Sequence, residues 1–243
     1  MNMKEAVVVG GSNGIGLAIT LNLQGYDCIY VVDKQAPEYT LPAYCKYIPF
    51  DLLNKDYTVF DQFNNVSTLM ITAGFGRLSL FKDVDEDEIE RSFMINTIGV
   101  MRIIKHFYDK IHTPNENFDC AVMVSISGII SSPFFSVYSA TKAALHRFIE
   151  SVNVELERAG AANRILEVSP GSIKGTRFTN GTNDLSQTTA LARQIIEKTH
   201  QKEILYIPDY ATIFQNVITR YNNNPHQFGL ESYDYKVRSG RIK

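Results

Sequence analysis

Short apolar segments alternate with longer segments of helical periodicity along most of the chain. Residues 6–9 and 28–33 are predicted to be buried β-strands, because they are short, apolar and rich in β-branched side chains. Further strands are predicted at 48–50, 67–74, 119–127, 164–170 and 203–208, and helices at 15–23, 85–112, 137–159, 186–200 and 209–222, whereas residues 225–243 show no clear period. Strands that alternate with helices form a parallel sheet that carries helices on both faces. We therefore expect a single α/β domain over residues 1–243, a doubly wound parallel sheet of about seven strands.

Composition and charge argue against several classes of function. The 243-residue chain has a formal net charge of −2, so no global positive field points to nucleic acid or to an anionic membrane surface. No apolar run approaches the roughly 18 residues of a transmembrane helix, and the N-terminus lacks a signal-peptide pattern. The three cysteines, Cys28, Cys45 and Cys120, are far apart, which gives no metal-ligand cluster and suggests a reducing compartment. We therefore expect a cytoplasmic protein with no metal, no nucleic-acid partner and no membrane partner.

A glycine-rich segment, Val7 to Gly16, joins the first predicted strand to the first predicted helix. In a doubly wound sheet, ligands bind at the carboxyl ends of the strands, where a helix N-terminus attracts a pyrophosphate. Glycines let phosphates approach the backbone, although a glycine cluster alone is about as often only a tight turn. The buried strand before the cluster and the helix after it favour dinucleotide binding by Gly10, Ser12, Asn13, Gly14, Ile15 and Gly16.

The second predicted strand ends in Asp33, whose carboxylate can accept hydrogen bonds from an adenosine ribose. An aspartate at a strand end is, by itself, more often a capping or turn residue. A carboxylate in the ribose position repels the 2′-phosphate of NADP, and no lysine or arginine lies among Gly11, Ser12 and Asn13. We therefore expect NAD as the cofactor. NADP is the alternative, because Lys34 directly follows Asp33 and would suit the phosphate.

The spacing of the glycines, Gly10 followed by Gly14 and Gly16, resembles the cofactor signature of the short-chain dehydrogenase/reductase family, whose fold is Rossmann-like. The resemblance extends over nearly the whole chain in the order of the family's motifs. Its other motif positions are matched by Asp51 with Leu52, Ala73 with Gly74, Asn96, Tyr138, Lys142, Pro170 with Gly171, and Ile173. The resemblance implies an NAD(P)-dependent oxidoreductase that interconverts an alcohol and a ketone or aldehyde.

The resemblance also implies roles for the active-site residues. Tyr138 is the acid/base for the substrate oxygen, and Lys142 holds the nicotinamide ribose and lowers the pKa of the tyrosine. These two residues lie four positions apart, which places them on one face of a helix, although an isolated pair of this spacing is usually an ordinary surface pair. Ser125, 13 residues before Tyr138 and three before Gly128, fits the family's substrate-holding serine better than Ser127 does.

Two of the matched residues are polar and have roles in the family. Asp51 corresponds to an adenine-contacting aspartate, and Asn96 to an asparagine that supports a water-linked proton path to the lysine. Without the family pattern, a surface or helix-bonded asparagine would be the more common explanation for Asn96.

Val9 replaces the family's threonine, and Thr72 replaces the asparagine of the N-A-G motif, so a sheet-stabilising contact must be weaker or different. The threonine expected at the phosphate is displaced by one position, to Thr176.

The substrate, a small molecule, is expected under residues 172–190, which are predicted to form a flexible lid. Lys174 and Arg177 in this segment would suit an anionic substrate, although most such side chains are solvated surface charges. Two other functions are open: a catalytically silent dinucleotide sensor, and a nucleotide-sugar epimerase or dehydratase. A sensor needs only the glycines and Asp33, and the epimerases usually have G-x-x-G-x-x-G spacing and a larger C-terminal region.

The predicted helices at 85–112 and 137–159 carry many apolar residues for their length. The family commonly pairs these two helices between subunits. The resemblance therefore implies a homodimer or homotetramer with two-fold symmetry. The alternative is that both helices pack only on the sheet of their own chain.

Overall fold

The computed structural model describes residues 3–176, 178 and 182–239. Within these residues the chain forms seven β-strands: β1 Glu5–Val9, β2 Cys28–Asp33, β3 Cys45–Pro49, β4 Val66–Ile71, β5 Asp119–Met123, β6 Ile165–Val168 and β7 Leu205–Tyr206. Neighbouring strands are parallel throughout, in the order β3-β2-β1-β4-β5-β6-β7. The chain moves outward from β1 to β3 and then crosses back to β4 on the other side of β1. This topology confirms the predicted doubly wound, Rossmann-like sheet.

Helices cover both faces of the sheet. Those in the described residues are α1 Gly14–Asn22, α2 Glu86–Phe93, α3 Gly99–His112, α4 Ser136–Arg158, α5 Leu185–His200, α6 Gln215–Asn223 and α7 Pro225–Arg238. Because successive side chains of a strand point to opposite faces, Val7 and Val9 pack in the core under α3 and α4. Ala6 and Val8 pack in the second core, under α1 and α5. β1 is therefore buried at every position, as expected of a central parallel strand.

The helix predicted over 85–112 is interrupted near its middle. A π-helical turn, Met94–Ile98, separates α2 from α3 and contains the buried side chain of Asn96. Hydrophobic periodicity does not reveal such a turn, because the apolar residues resume the same spacing after it. Single π-helical turns occur frequently at functional sites.

The segment after residue 224, for which the sequence shows no clear period, forms helix α7. The Asn224 side chain accepts a hydrogen bond from the Gln227 amide at 3.0 Å, and Pro225 occupies the first helical turn. Both features start helices, because an asparagine caps the free N–H groups and proline already has a helical φ angle. The ring of Tyr233 stacks on that of Phe134 with the centroids 4.6 Å apart, so α7 packs on the segment before α4. The Asn-Pro pair is the sequence signal that would have predicted this helix.

Three findings concern membranes, metals and thiols. None of the helices in the described part of the chain is long and apolar enough to cross a membrane. The same residues hold no group of three or more His, Cys, Asp and Glu side chains that could bind a metal ion. Cys28, Cys45 and Cys120 are free. Burial raises the pKa of the Cys120 thiol to about 12, so this thiol is unreactive at neutral pH.

A buried polar chain connects α4 to β6. Glu167, which is 3% exposed, accepts a hydrogen bond from the Ser169 hydroxyl at 2.6 Å. Its other carboxylate oxygen lies 2.7 Å from Nδ1 of His146 on α4. A buried carboxylate is tolerated only with such partners, so His146 compensates for the charge of Glu167.

We predict that His146→Ala lowers the free energy of unfolding by about 1–3 kcal/mol, because Glu167 loses a partner while remaining buried. The hydrogen bond to Glu167 raises the pKa of His146, so protonation favours the folded protein. The stabilisation is complete below the ordinary histidine pKa of about 6.5 and is lost as the pH rises through the higher folded-state pKa. Urea unfolding from pH 5 to 9 measures it, with His106→Ala as the control, since His106 pairs at the surface with Asp61. A difference between wild type and His146→Ala that grows with pH would contradict the assignment.

Candidate active site

The glycine turn after β1 is shaped by contacts that exclude side chains. Gly10 has a φ angle of +80°, and a Cβ atom there would lie 2.5 Å from the backbone nitrogen of Ala73. A Cβ atom on Gly16 would lie 2.0 Å from the carbonyl oxygen of Gly10. Both distances are shorter than any real contact, so the turn packs on the end of β4 and α1 packs on the turn. Packing of the turn therefore requires glycine at positions 10 and 16 even without a ligand.

The same turn also offers groups that suit a phosphate. The hydroxyl of Ser12 is buried and has no hydrogen-bond partner among the described residues. The amide of Gly14, the first residue of α1, donates to the Asn183 side-chain oxygen at 2.9 Å. A helix N-terminus with an unpaired hydroxyl beside it attracts anions, because its N–H groups and its dipole both favour negative charge. The residues present therefore fit a pyrophosphate.

Asp33 ends β2 beside the glycine turn. Its carboxylate accepts hydrogen bonds from the amide of Ser12 at 3.2 Å and from the amide of Gln35 at 3.3 Å. The carboxylate is thereby fixed next to the predicted phosphate position, where a ribose would lie. The side chain of Lys34 is exposed.

Asp51 and Leu52 follow β3 at the same edge of the sheet. The Asp51 carboxylate accepts the amide of Leu53 at 2.9 Å, so its hydrogen bond is within its own turn. Leu52 is buried, and its carbonyl accepts the Tyr57 hydroxyl at 2.7 Å. These contacts fix the turn against α3, where a Cβ atom on Gly99 would lie 2.7 Å from the same hydroxyl.

The three departures from the family pattern have local explanations. Val9 is a buried residue of the core. The Thr72 hydroxyl lies 3.1 Å from the carbonyl oxygens of both Val9 and Gly10, so it connects β4 to the glycine turn. The sheet-stabilising contact of the family's asparagine is thus replaced here by hydrogen bonds of the Thr72 hydroxyl. The Thr176 hydroxyl donates to the Ile173 carbonyl at 3.1 Å, while its methyl group lies 3.5 Å from the position of a Cβ atom on Gly14.

Lys142 lies in the interior of the protein, at the carboxyl end of β5. Its side chain is 2% exposed, and its ammonium donates to the carbonyl of Met123 at 2.9 Å. Burial lowers the pKa of Lys142 to about 8, because the charged form loses its hydration. A Cβ atom on Gly74 would lie 3.4 Å from this nitrogen, so the glycine leaves space for the ammonium.

Tyr138 lies one helical turn before Lys142, and the ammonium is 5.8 Å from the centre of its ring. Burial raises the pKa of Tyr138 to about 12, and a hydrogen bond with the Ser125 side chain only partly opposes this effect. In this structure burial outweighs any lowering of the Tyr138 pKa by the lysine, and that role of Lys142 stays a prediction. The physical reason is desolvation of the phenol, together with an ammonium that donates to a carbonyl rather than to the tyrosine. The phenol is protonated at neutral pH.

Ser125 follows β5 and lies beside Tyr138. It is 8% exposed, and its hydroxyl accepts the amide of Ser127 at 3.1 Å, which starts a short 3₁₀ turn, Ile126–Gly128. The interaction of its side chain with the Tyr138 hydroxyl distinguishes Ser125 from Ser127. Gly128 allows this turn to pack on α4, because a Cβ atom there would lie 2.7 Å from the carbonyl oxygen of Lys142.

Asn96 is completely buried in the π-helical turn and joins three parts of the site. Its side-chain oxygen accepts the Phe75 amide at 3.0 Å, and its side-chain nitrogen donates to the Phe75 carbonyl at 2.9 Å. The same nitrogen donates to the hydroxyl of Thr141 on α4 at 3.1 Å. Thr141, which the sequence does not single out, donates in turn to the carbonyl of Tyr138 at 2.7 Å. Asn96 thus fixes the loop after β4 to the helix of Tyr138 and Lys142, and its part in a proton path stays a prediction.

The segment after β6 covers the glycine turn and the tyrosine. Pro170 accepts the Ile126 amide at 3.0 Å, and a Cβ atom on Gly171 would lie 2.6 Å from the Phe214 ring. Asn183 contacts the glycine turn, as described above, and the ring of Phe178 lies 5.2 Å from that of Tyr138. Residues 185–190 of the predicted lid belong to α5, since Asp184 caps that helix. Arg177 lies outside the described residues, and Lys174 is exposed.

Comparison with known proteins gives consistent similarities. Residues 4–187 match the family described as short chain dehydrogenase. An uncharacterized oxidoreductase of Staphylococcus epidermidis is 28% identical over 207 residues, which cover 79% of this chain and 87% of that protein. A short chain dehydrogenase/reductase of Burkholderia phymatum, solved in complex with NAD, has a TM-score of 0.72 at 17% identity and covers 92% of this chain and 96% of its own. A short chain dehydrogenase of Burkholderia cenocepacia, solved with NADP, has a TM-score of 0.72 at 16% identity and covers 90% and 97%. At these identities the two solved structures share the fold with this chain.

Proposed function

The chain belongs to the short-chain dehydrogenase family of oxidoreductases, and on that premise we propose that it interconverts an alcohol and a ketone or aldehyde with NAD(P). One observation carries the proposal. Ser125, which directly follows β5, meets Tyr138 and Lys142, which lie one helical turn apart on α4, in a largely buried site at the carboxyl end of β5. Such a site, next to a glycine turn with an unpaired buried hydroxyl, suits acid–base chemistry on an oxygen atom.

We assign the proton-transfer role to Tyr138. Its hydroxyl donates a proton to the carbonyl oxygen in reduction and accepts one from the hydroxyl in oxidation. Ser125, which interacts with the same phenol, donates a hydrogen bond to the substrate oxygen and so orients it. The buried ammonium of Lys142 stabilises negative charge that develops on the phenol oxygen. When bound, the nicotinamide supplies or accepts the hydride.

We assign the cofactor to the edge of the sheet formed by the ends of β1 to β4 and β6. The glycine turn and Ser12 would hold the pyrophosphate, and Asp33 the adenosine ribose. Asp51 with Leu52 and Ala73 with Gly74 would line the adenosine side, whereas Pro170, Gly171 and Ile173 would line the nicotinamide side. The relatives solved with NAD and with NADP support this class of cofactor. Asp33 favours NAD.

We predict that Tyr138→Phe keeps the fold and NADH binding but loses turnover. The substitution removes the proton donor and little volume, and general acid–base catalysis is typically worth about 10²–10⁴-fold in rate. The measurement is NADH oxidation at the nicotinamide absorbance with a panel of carbonyl compounds, and the reverse reaction with alcohols. Ser125→Ala should lower turnover and leave NADH binding nearly unchanged. Lys142→Met should impair both turnover and NADH binding.

Two outcomes of that experiment would contradict the proposal. Full activity of Tyr138→Phe on a substrate that the wild type turns over would show that Tyr138 is not the acid/base. Tight NADH binding without turnover of any carbonyl or alcohol would favour a dinucleotide sensor.

We predict tighter binding of NADH than of NADPH, because the Asp33 carboxylate would repel the 2′-phosphate. Fluorescence titration of the purified protein with both nucleotides measures the two dissociation constants. Asp33→Ala should narrow the difference or reverse it, whereas Asp27→Ala, which changes an exposed carboxylate at the other edge of the sheet, should not. Clearly tighter binding of NADPH by the wild type would contradict this prediction and indicate that Lys34, not Asp33, determines the cofactor preference.

We propose a homodimer or homotetramer, on the family resemblance and on one exposed apolar side chain. Leu145, Ile149 and Leu156 of α4 are buried in the core of their own chain. Val154, on the same helix, is 58% exposed. Light scattering at micromolar concentration should give a multiple of the 27.4 kDa chain mass, lowered by Val154→Glu. A wild-type mass of one chain would show that these helices pack only on their own sheet.

A further inference from the structure

Aromatic rings surround the side chain of Tyr138. The centroid of the Phe135 ring lies 5.4 Å and that of Phe178 lies 5.2 Å from the Tyr138 ring. The rings of Phe135 and Phe178 stack on each other at 6.3 Å, with an angle of 25° between their planes. We call these three residues the ring cluster. Its members come from the N-terminal end of α4 and from the segment after β6.

A glycine without a side chain makes the ring cluster possible. A Cβ atom on Gly76 would lie 2.8 Å from Phe178 and 2.8 Å from Tyr138, which is too close for any side chain. Both rings therefore lie directly against the backbone of the loop after β4 at Gly76. The rings of Phe135 and Phe178 are nearly parallel, with 25° between their planes, and such apolar ring faces suit an apolar ring on a ligand.

The Phe135 side of the ring cluster is held in place by α7. Phe134 has a φ angle of +67°, a conformation that bulky residues adopt only when their surroundings enforce it. The stack of Tyr233 on Phe134 and hydrogen bonds from Lys236 to Ser132 at 2.6 Å and Pro133 at 2.7 Å provide that enforcement. Phe135 is thus a fixed wall.

Phe178, by contrast, is 39% exposed, and it packs on the other two rings of the cluster from the segment after β6. It presents a large apolar surface to solvent next to Tyr138. Covering this surface with an apolar ligand is favourable, because ring faces lose contact with water and gain ring contacts. Phe178 therefore offers exposed apolar surface beside the Tyr138 ring.

The described cations near the ring cluster already have partners. Lys142 donates to Met123, and Lys236, whose ammonium lies 5.4 Å from the centre of the Phe135 ring, donates to Ser132 and Pro133. Arg77, which lines a pocket together with Tyr138, donates to the Asp83 carbonyl at 2.8 Å and pairs with Glu88 at 3.4 Å. A carboxylate on the substrate would have to compete with the partners of these three cations, which disfavours an anionic group beside them.

We propose, resting on the proposed function, that the substrate is a neutral aryl ketone or aryl aldehyde whose ring packs against Phe135 and Phe178, and that Phe178 determines this specificity. The carbonyl then lies at the Tyr138 hydroxyl while the aryl group covers the exposed face of Phe178. A saturated ring of the same size lacks the flat face that stacks on an aromatic ring.

The test compares matched substrates. Acetophenone and methyl 2-naphthyl ketone are compared with their saturated counterparts, cyclohexyl methyl ketone and methyl decalinyl ketone, and with anionic phenylglyoxylate. We expect kcat/KM with NADH or NADPH to favour an aryl ketone over its saturated counterpart by about tenfold. Phe178→Leu, which keeps an apolar side chain but removes the ring, should reduce that ratio to about twofold or less. Tyr44→Ala is the control, because Tyr44 has a matching exposure of 41% and precedes β3 at the opposite edge of the sheet.

A binding measurement separates this inference from the proposed function. 2-Naphthamide, an unreactive analogue, is titrated against the NADH complex by fluorescence, with wild type and Phe178→Leu. Saturable binding that weakens about fivefold or more in Phe178→Leu, without turnover of any ketone, would support the ligand class and contradict the oxidoreductase reaction. Turnover that favours saturated or anionic substrates, or an aryl preference that Phe178→Leu leaves unchanged, would overturn this inference and leave the proposed function standing. Absence of both naphthamide binding and aryl turnover would also overturn it.

Discussion

The burial of the Lys142 ammonium is the constraint on which the rest of the site depends. Burying a charge costs several kcal/mol unless nearby groups compensate for the lost hydration. Here the compensation includes a carbonyl at the end of β5, and a pKa lowered to about 8 records the remaining cost. The neighbouring backbone is adapted to this nitrogen. Gly74 leaves room beside it, and Gly128 lets the serine turn lie directly on its helix.

The same desolvation sets the chemical state of Tyr138. The rings of Phe135 and Phe178 pack beside it, burial raises the pKa of its phenol, and Ser125 offers a polar partner. A protonated phenol is the form that donates a proton to a carbonyl oxygen in the proposed reaction. In the proposed reaction the ammonium one helical turn away would stabilise the charge left behind, and this effect is stronger in a buried site than in water.

The parts of the fold that follow from local sequence are the parts that sequence analysis predicts well. The glycine turn, the buried strands and the spacing of Tyr138 and Lys142 are encoded by neighbouring residues. The raised pKa of Tyr138 is not, because its burial includes contact with Phe178, which lies 40 positions away in the chain. Likewise, the contact between Asn183 and Gly14 spans 169 positions. Helix α7 is a different case, since the Asn-Pro pair at its start is a local signal that weak periodicity conceals.

The C-terminal helix connects the site to a part of the chain that the family match does not reach. The match ends at residue 187, whereas Tyr233 and Lys236 of α7 support the strained turn at Phe134. This turn leads into the helix that carries Tyr138. Helix α7 therefore supports the start of α4 from a part of the chain outside the family match.

The most direct test of this account is a titration of Tyr138 in the ligand-free protein. With ¹³Cζ-labelled tyrosine, its resonance is identified among the 13 tyrosines by its absence in Tyr138→Phe. Since desolvation dominates, the resonance should keep the chemical shift of a phenol through neutral pH and titrate with a pKa of about 12. A pKa at or below the ordinary tyrosine value of about 10 would contradict the account, because the ammonium of Lys142 would then outweigh burial.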